Sequence, residues 1–319
     1  MSDPGGRIES ADIEHAKRAL MGVALGRRPR RTRMMHRTAT QEQNRSFRVL
    51  RENLLGVGVS KNEPGADTLN VLVRKEIGKE VVYSYLDRFG MQNFPVEITV
   101  AGSTRAAAQG GQSVGHYTGP TGTISCAVQN ENGERFLLGS SHVMAASNRG
   151  KIGVDPIWHP GPRDGGTASH RIGILSDFTK IAFGCQIANR FDAALCRPDT
   201  LAHATPGLLH LGEVASATAA FPQTKVRKVG RESGLTAGHI IITNLTTIIR
   251  YPNGLDALFD GMFAAVGDKG DFAKTGDSGA LIVDEKNRAI GLLVGVSDNG
   301  LSFGTELGPT LDHLGVELM

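Results

Sequence analysis

The chain divides into two textures of hydrophobic and polar positions. Up to about residue 100, helical and strand periods alternate. Ile13, Ala16 and Leu20 fall at helical spacing behind Ser10, a capping residue type, and predict a helix over 10–24. A second helix is predicted over 41–54, with Phe47, Leu50 and Leu54 on one side. Short strands follow at 56–60 and 68–73, the second with Leu69, Val71 and Val73 in alternation. A third helix at 76–88 and a strand at 95–100 complete a small α/β unit.

Beyond Gly122, short apolar runs recur between Gly, Pro, Asn and Asp turns. They are Thr123–Val128, Arg135–Gly139, Phe191–Leu195, Val226–Val229, His239–Ile249, Leu258–Val266, Ala280–Val283, Ala289–Val296 and Leu301–Thr305. Many short strands with such punctuation predict a barrel or sandwich. Leu307 to Leu314 reads as a closing helix. The predicted organisation is a helical, arginine-rich arm (1–40), a small α/β unit (41–102), a Gly/Ala/Ser linker (103–120) and a mainly β domain (121–319).

Composition narrows the function classes. With 319 residues and a net charge of +3, the chain is only mildly basic, and no nucleic-acid partner is expected. Arg27, Arg28, Arg30, Arg31, Arg33 and Arg37 form a basic run, read as a solvated linker and set against a contact for an anionic surface. No run approaches a membrane span, and no secretory hydrophobic core follows the N-terminus, so a cytoplasmic location is expected. Cys126, Cys185 and Cys196 are odd in number and without a C-x-x-C pair, which suits reduced thiols. His159 and His170, near Asp155 and Asp164, match no metal-ligand spacing, and Lys274-Thr275 lacks the glycines of a phosphate loop. Neither metal nor cofactor is expected.

The strongest local signal is Gly276-Asp-Ser-Gly279 before the apolar run Ala280-Leu-Ile-Val283. Glycines beside Ser278 permit a sharp turn and let the N–H groups of Gly276 and Ser278 converge on a developing oxyanion. A serine hydroxyl needs a base. His142 qualifies, in Ser141-His-Val-Met144 at the end of an apolar strand. Asp192, in Arg190-Phe-Asp-Ala-Ala-Leu195, is costly to bury unless a partner such as the His Nδ1–H meets it. The order His, Asp, Ser is that of the chymotrypsin type.

On these segments the chain resembles trypsin-like serine peptidases of the chymotrypsin fold, most of all intracellular bacterial members related to the plant narrow-leaf peptidases. Gly122-Thr-Ile-Ser-Cys126, Leu137-Leu-Gly-Ser-Ser-His-Val-Met144, Asp155-Pro-Ile-Trp-His-Pro160, Phe191-Asp-Ala-Ala-Leu195, Lys228-Val-Gly-Arg-Glu-Ser-Gly-Leu-Thr-Ala-Gly238 and Gly276-Asp-Ser-Gly279 carry the likeness. It implies two β-barrels, a triad of His142, Asp192 and Ser278, an acyl-enzyme, and a protein or peptide substrate. It also implies a substrate pocket at Phe272, Val294 and Gly295. Phe272 stands where a carboxylate would select basic residues, so a small or apolar preference is expected. Val143 and Met144 replace the small residue and Cys that follow the histidine, so no disulfide supports that turn. Asp277 has no evident ammonium partner from an activation cleavage, which suggests another route of control, with a regulatory protein at the N-terminal region. The alternative is a protease-shaped binding module acting through its basic arm.

Overall fold

The structure, a computed structural model, describes residues 10–24, 40–62, 66–91, 95–100 and 108–319. The arginine run, and the start of the expected linker, lie outside these residues. The chain forms two compact units, 1–105 and 106–319.

The first unit contains α1 (Ser10–Ala24), α2 (Gln41–Asn53), β1 (Leu54–Asn62), β2 (Ala66–Val73), α3 (Lys79–Asp87) and β3 (Val96–Val100). α2 starts where Thr40 and Gln43 cap each other reciprocally, Thr40 Oγ1 accepting from the Gln43 N–H and Gln43 Oε1 from the Thr40 N–H. β2 is central, antiparallel to β1 and parallel to β3. The alternation of Leu69, Val71 and Val73 is explained by burial, since all three are completely covered.

α1 differs from the expected arm. Ile13, Ala16, Leu20 and Val23 form one stripe and belong to the same core as Leu50, Leu69, Val71, Val82, Tyr85 and Leu86. The helix is therefore an integral layer of the first unit, not a detachable segment. The neighbouring basic run had hidden this, because charge around an amphipathic helix says nothing about its apolar stripe.

The second unit is mainly β. Its first part comprises β4 (Ser113–His116), β5 (Thr121–Thr123), β6 (Ala127–Asn130), β7 (Arg135–Gly139), the short α4 (Ser141–Met144), β8 (Pro156–Trp158), β9 (Arg171–Phe178) and β10 (Ala194–Pro198). The second part comprises β11 (Lys225–Gly230), β12 (Gly234–Arg250), β13 (Asp256–Gly267), β14 (Leu281–Asp284), β15 (Ala289–Val296), β16 (Ser302–Glu306), α5 (Leu307–Leu314) and β17 (Val316–Leu318). Two barrel-like sheets result. One runs β17-β6-β7-β10-β9-β8-β4-β5, and the other closes as β11-β12-β13-β16-β15-β14. This is the two-barrel, mainly β architecture expected from the sequence, accompanied by a small α/β N-terminal unit.

Residues 108–120 do not act as a linker. Ala108 and Val114 are buried in the first barrel's core, and β4 pairs with β5 and β8. Gly and Ser dominated the reading of this stretch, although strand pairing at a barrel rim tolerates both. The predicted strand at 191–195 begins later, at Ala194. Thr179 clamps the preceding residues, accepting the Ala193 N–H on Oγ1 at 2.9 Å and donating its own N–H to the Ala193 carbonyl at 2.8 Å. Phe191 and Asp192 therefore stay off the ladder.

The two barrels are joined by apolar packing and by chain crossing. Leu138 and Leu195 from the first meet Leu281 and Leu292 from the second, together with Leu307 and Leu311 of α5. β17 then returns to pair with β6. At β5, Thr123 donates twice across the junction. Its N–H bonds the Ser278 carbonyl at 2.8 Å and its Oγ1 bonds the Gly276 carbonyl at 3.2 Å.

The packing of α1 yields a test. Leu20→Ala removes a fully buried side chain and should destabilise the first unit by about 2–5 kcal/mol. Hydrogen exchange in the full chain reads this as lost protection at the β2 amides. Unchanged protection would return α1 to the status of a free arm.

Candidate active site

The site is built where the ends of both barrels' strands converge. α4 starts directly after β7, and its second residue is His142. The imidazole is almost completely buried, with Asp192 wholly so. His142 Nδ1 lies 2.5 Å from Asp192 Oδ2, and the His142 N–H donates to Asp192 Oδ1 at 3.0 Å. One residue thus binds both oxygens of the carboxylate and sets its plane. Burial alone pushes the Asp192 carboxyl up. The charge of His142, its two hydrogen bonds and the Tyr251 hydroxyl more than offset this and hold Asp192 below the usual carboxylate value.

The turn after α4 has no disulfide, and the structure shows its replacement. Ala146, Ser147 and Asn148 all take positive φ, at 46°, 54° and 73°. Such a run costs free energy and persists only when its surroundings fix it. Asn148 does so by donating from Nδ2 to the Ile181 carbonyl at 2.7 Å and accepting the Ile181 N–H at 2.9 Å. Asn189 repeats this bidentate arrangement on Ala182, at 2.8 and 2.9 Å. These amides fix the 179–192 loop that delivers Asp192. Met144 fills the core beneath.

Ser278 lies in a tight loop between β13 and β14. Gly276 has φ +113°, a backbone state that side chains rarely adopt, and a Cβ there would sit 2.5 Å from Arg231 Nη1. Among the described residues, the N–H groups of Gly276 and Ser278 donate no hydrogen bond, so both remain free to bind a ligand oxygen. Ser278 Oγ donates to the Val294 carbonyl at 3.3 Å, and no hydrogen bond joins it to His142. Both side chains line one cavity of about 530 Å³. Links between nucleophile and base are often long in a ligand-free site.

The expected pocket residues separate. Val294 and Gly295 line the cavity. Phe272 does not: its ring is fully buried in the second barrel's core with Ile240, Phe263 and Ile282. The cavity wall is supplied instead by Ile249, Val294, Val296 and Phe303, with Lys274 and Asp298 at its exposed edge.

Two residues of the site were missed in the sequence. Lys228 on β11 is wholly buried, and its ammonium lies 3.2 Å from Asp277 Oδ2. Asp277 also accepts the N–H groups of Glu232, Ser233 and Lys274 and the Ser233 hydroxyl. Burial pushes this carboxyl up, but Lys228 and the hydrogen bonds prevail and hold it low. Lys228 therefore supplies the cation for which the sequence offered no candidate. Its signal was its phase, since Val226 and Lys228 point to the same side of β11 and Val226 is core. Tyr251, beside the β12–β13 turn, donates to Asp192 Oδ2 at 2.9 Å. No local pattern announces that long-range contact.

The other histidines and acids singled out earlier have separate partners. His159 Nδ1 lies 2.7 Å from the Ser113 carbonyl, and His170 Nδ1 meets Thr167. Asp155 meets His116, and Asp164 meets Arg231. Among the described residues no group of His, Cys, Asp and Glu forms a metal site.

Comparison with known proteins gives a likeness of fold. No protein-family model matches the chain, and no curated protein matches it. Solved structures do. A Cellulomonas bogoriensis chymotrypsin is 21% identical, with 67% of this chain and 98% of that one covered and a TM-score of 0.47. A Nocardiopsis protease is 20% identical over 67% and 99%, with a TM-score of 0.49. Thermobifida fusca protease A is 19% identical over 67% and 99%, with a TM-score of 0.48. The structural neighbours are bacterial serine proteases of chymotrypsin-like fold. The chemistry here has to rest on the site's own geometry.

The buried Lys228–Asp277 pair gives a prediction with a sign. Lys228→Met leaves a carboxylate buried and unpaired, at a loss of about 3–5 kcal/mol. In the intact protein Asp277 has a lowered pKa, so its stabilisation is present above the ordinary carboxylate pKa and fades as pH falls through the folded value. In the variant the unpaired carboxyl is raised by burial, so protonation relieves it. Denaturant unfolding should therefore show the deficit narrowing toward pH 4. Adding Asp277→Asn should recover most of the loss. A deficit independent of pH, or no recovery, contradicts the assignment.

Proposed function

We propose that the chain is a serine endopeptidase in which Ser278 is the nucleophile, His142 the general base and Asp192 the group that orients it. The observation that carries this reading is the 2.5 Å His142–Asp192 contact, placed on a cavity that Ser278 also lines. Ser278 Oγ attacks the peptide carbonyl carbon as His142 Nε2 takes its proton. The Gly276 and Ser278 N–H groups stabilise the oxyanion, an effect worth several kcal/mol per donor in such sites. Collapse of the intermediate expels the amine, which takes the proton from His142, and leaves an acyl-enzyme. Water, deprotonated by His142, then releases the acid.

The apolar wall of Ile249, Val294, Val296 and Phe303 favours a small or apolar side chain before the scissile bond. The register of β15 with β14 ends at Leu292, and the following stretch 294–296 lines the cavity, which suits an extended peptide paired there as a strand. Three free cysteines, two of them buried, fit a reducing compartment, and we place the enzyme in the cytoplasm on that ground. Among the described residues no helix is long and apolar enough to cross a membrane. Kinship with the narrow-leaf peptidases rests on the sequence motifs alone.

Ser278→Ala should fold as the parent and lose covalent labelling by a fluorophosphonate, and His142→Ala should lose that labelling too. Asp192→Asn should keep the fold and lose roughly 10⁴-fold in kcat, through the wrong histidine tautomer. Labelling that persists without Ser278 removes it from the mechanism. A peptide-library profile dominated by Lys and Arg overturns the substrate class.

A further inference from the structure

Asp192 belongs to the first barrel, yet one of its three hydrogen-bond donors comes from the second. β12 and β13 form a long hairpin whose turn is closed by the Tyr251 N–H to the Leu255 carbonyl at 2.9 Å. An Arg250–Asp256 ion pair flanks it at 2.5 Å. The hairpin also pairs with the loop that delivers Asp192. Asn189 donates its N–H to the Leu258 carbonyl at 2.8 Å and accepts from the Asp260 N–H at 2.9 Å. This docking puts Tyr251 against the dyad. Its ring meets the His142 ring edge-on at 5.3 Å and 78°, and packs on Phe183 and Phe259.

We propose that Tyr251 is a positioning residue for the Asp192–His142 dyad, its hydroxyl sharing Asp192 Oδ2 with the imidazole. The proposal rests on the peptidase reading given above and adds to it the group that tunes the base. Two donors on one oxygen divide its negative charge. The carboxylate then holds the Nδ1–H and fixes the tautomer of His142. The third donor, the His142 N–H, holds Oδ1, so the carboxylate plane is set at both ends. Tyr251 is suited to this because it remains a donor. Burial, then the charge and hydrogen bond of Asp192, raise its pKa well above the ordinary value. The groups whose charge or hydrogen bonds act on Asp192 are His142 and Tyr251, and Asp192 in turn acts on Tyr251. Arg250 is engaged by Asp256, and Lys274 and Asp298 stand at the exposed cavity edge.

The test compares the full chain with Tyr251→Phe and Tyr251→Leu, measuring the rate of fluorophosphonate inactivation across pH. Phe keeps the ring that packs on Phe183 and Phe259 and removes only the hydroxyl. The plateau rate should fall by about 10-fold, the scale of one lost hydrogen bond to a charged group. The acid limb should move to higher pH, because Asp192 loses a donor and concentrates its charge on the oxygen that faces the imidazole. Tyr251→Leu should show the same shift with an added loss of thermal stability. A Tyr251→Phe profile superimposable on the parent overturns the proposal and leaves Tyr251 as packing. If the parent itself is not labelled, the peptidase reading fails first, and the two failures are thereby distinguished.

Discussion

The Asp192 carboxylate is completely buried, and a charge so placed survives only if its oxygens are satisfied. Three donors satisfy it, from three places: the His142 backbone, the His142 ring and the Tyr251 hydroxyl. Much of the surrounding structure can be understood as what this requires. Thr179 clamps the chain on the C-terminal side of Asp192, and Asn189 anchors the loop before it. Asn148 fixes a left-handed turn after α4 so that His142 arrives at the right height. The β12–β13 hairpin completes the set from the other barrel. Removing one donor exposes the remainder to an uncompensated buried charge, a larger penalty than the loss of an ordinary hydrogen bond.

A second buried carboxylate, Asp277, plays the corresponding part in the second barrel. Its ion pair with Lys228 and its backbone donors shape the loop that carries Gly276 and Ser278. Thr123 then ties that loop to β5 of the first barrel through the carbonyls of both residues. The Asp277 and Gly279 N–H groups are bonded to the Lys274 and Leu293 carbonyls, so within this stretch the Gly276 and Ser278 N–H groups are the ones left without a partner among the described residues. Each barrel therefore contains one buried acid that orders a short loop, and the cavity lies where the two loops meet. Because Lys228 is part of the strand itself, this arrangement needs no cleaved N-terminus to supply the cation.

Local chemistry was legible in the sequence, and partnership at a distance was not. The Gly-Asp-Ser-Gly turn, the histidine at a strand end and the short apolar runs of β12 to β16 are short-range patterns that the fold retains. The three residues of the proposed triad were singled out on that basis, and the structure brings two into contact and puts the third on their cavity. Phe272 was assigned to the pocket by position alone, whereas its ring faces the core. Tyr251 carries no local mark, because its value depends on a hairpin reaching another barrel. Lys228 was legible in principle, since a lysine in phase with buried valine demands a buried partner. β4 lies in a stretch that reads as a Gly/Ala/Ser linker, and α1 reads as a helix but not as part of a core.

The central claim is that the loop of Ser278 and the dyad of His142 and Asp192 act on one substrate atom. It is tested most directly by a crystal structure of the chain after reaction with a small fluorophosphonate. The account predicts phosphorus bonded to Ser278 Oγ, with a phosphonyl oxygen roughly 2.7–3.1 Å from the Gly276 and Ser278 nitrogens. It also predicts that His142 Nε2 faces the adduct while Nδ1 remains on Asp192. An adduct on another residue, or one on Ser278 whose oxygen points away from both nitrogens, would contradict it.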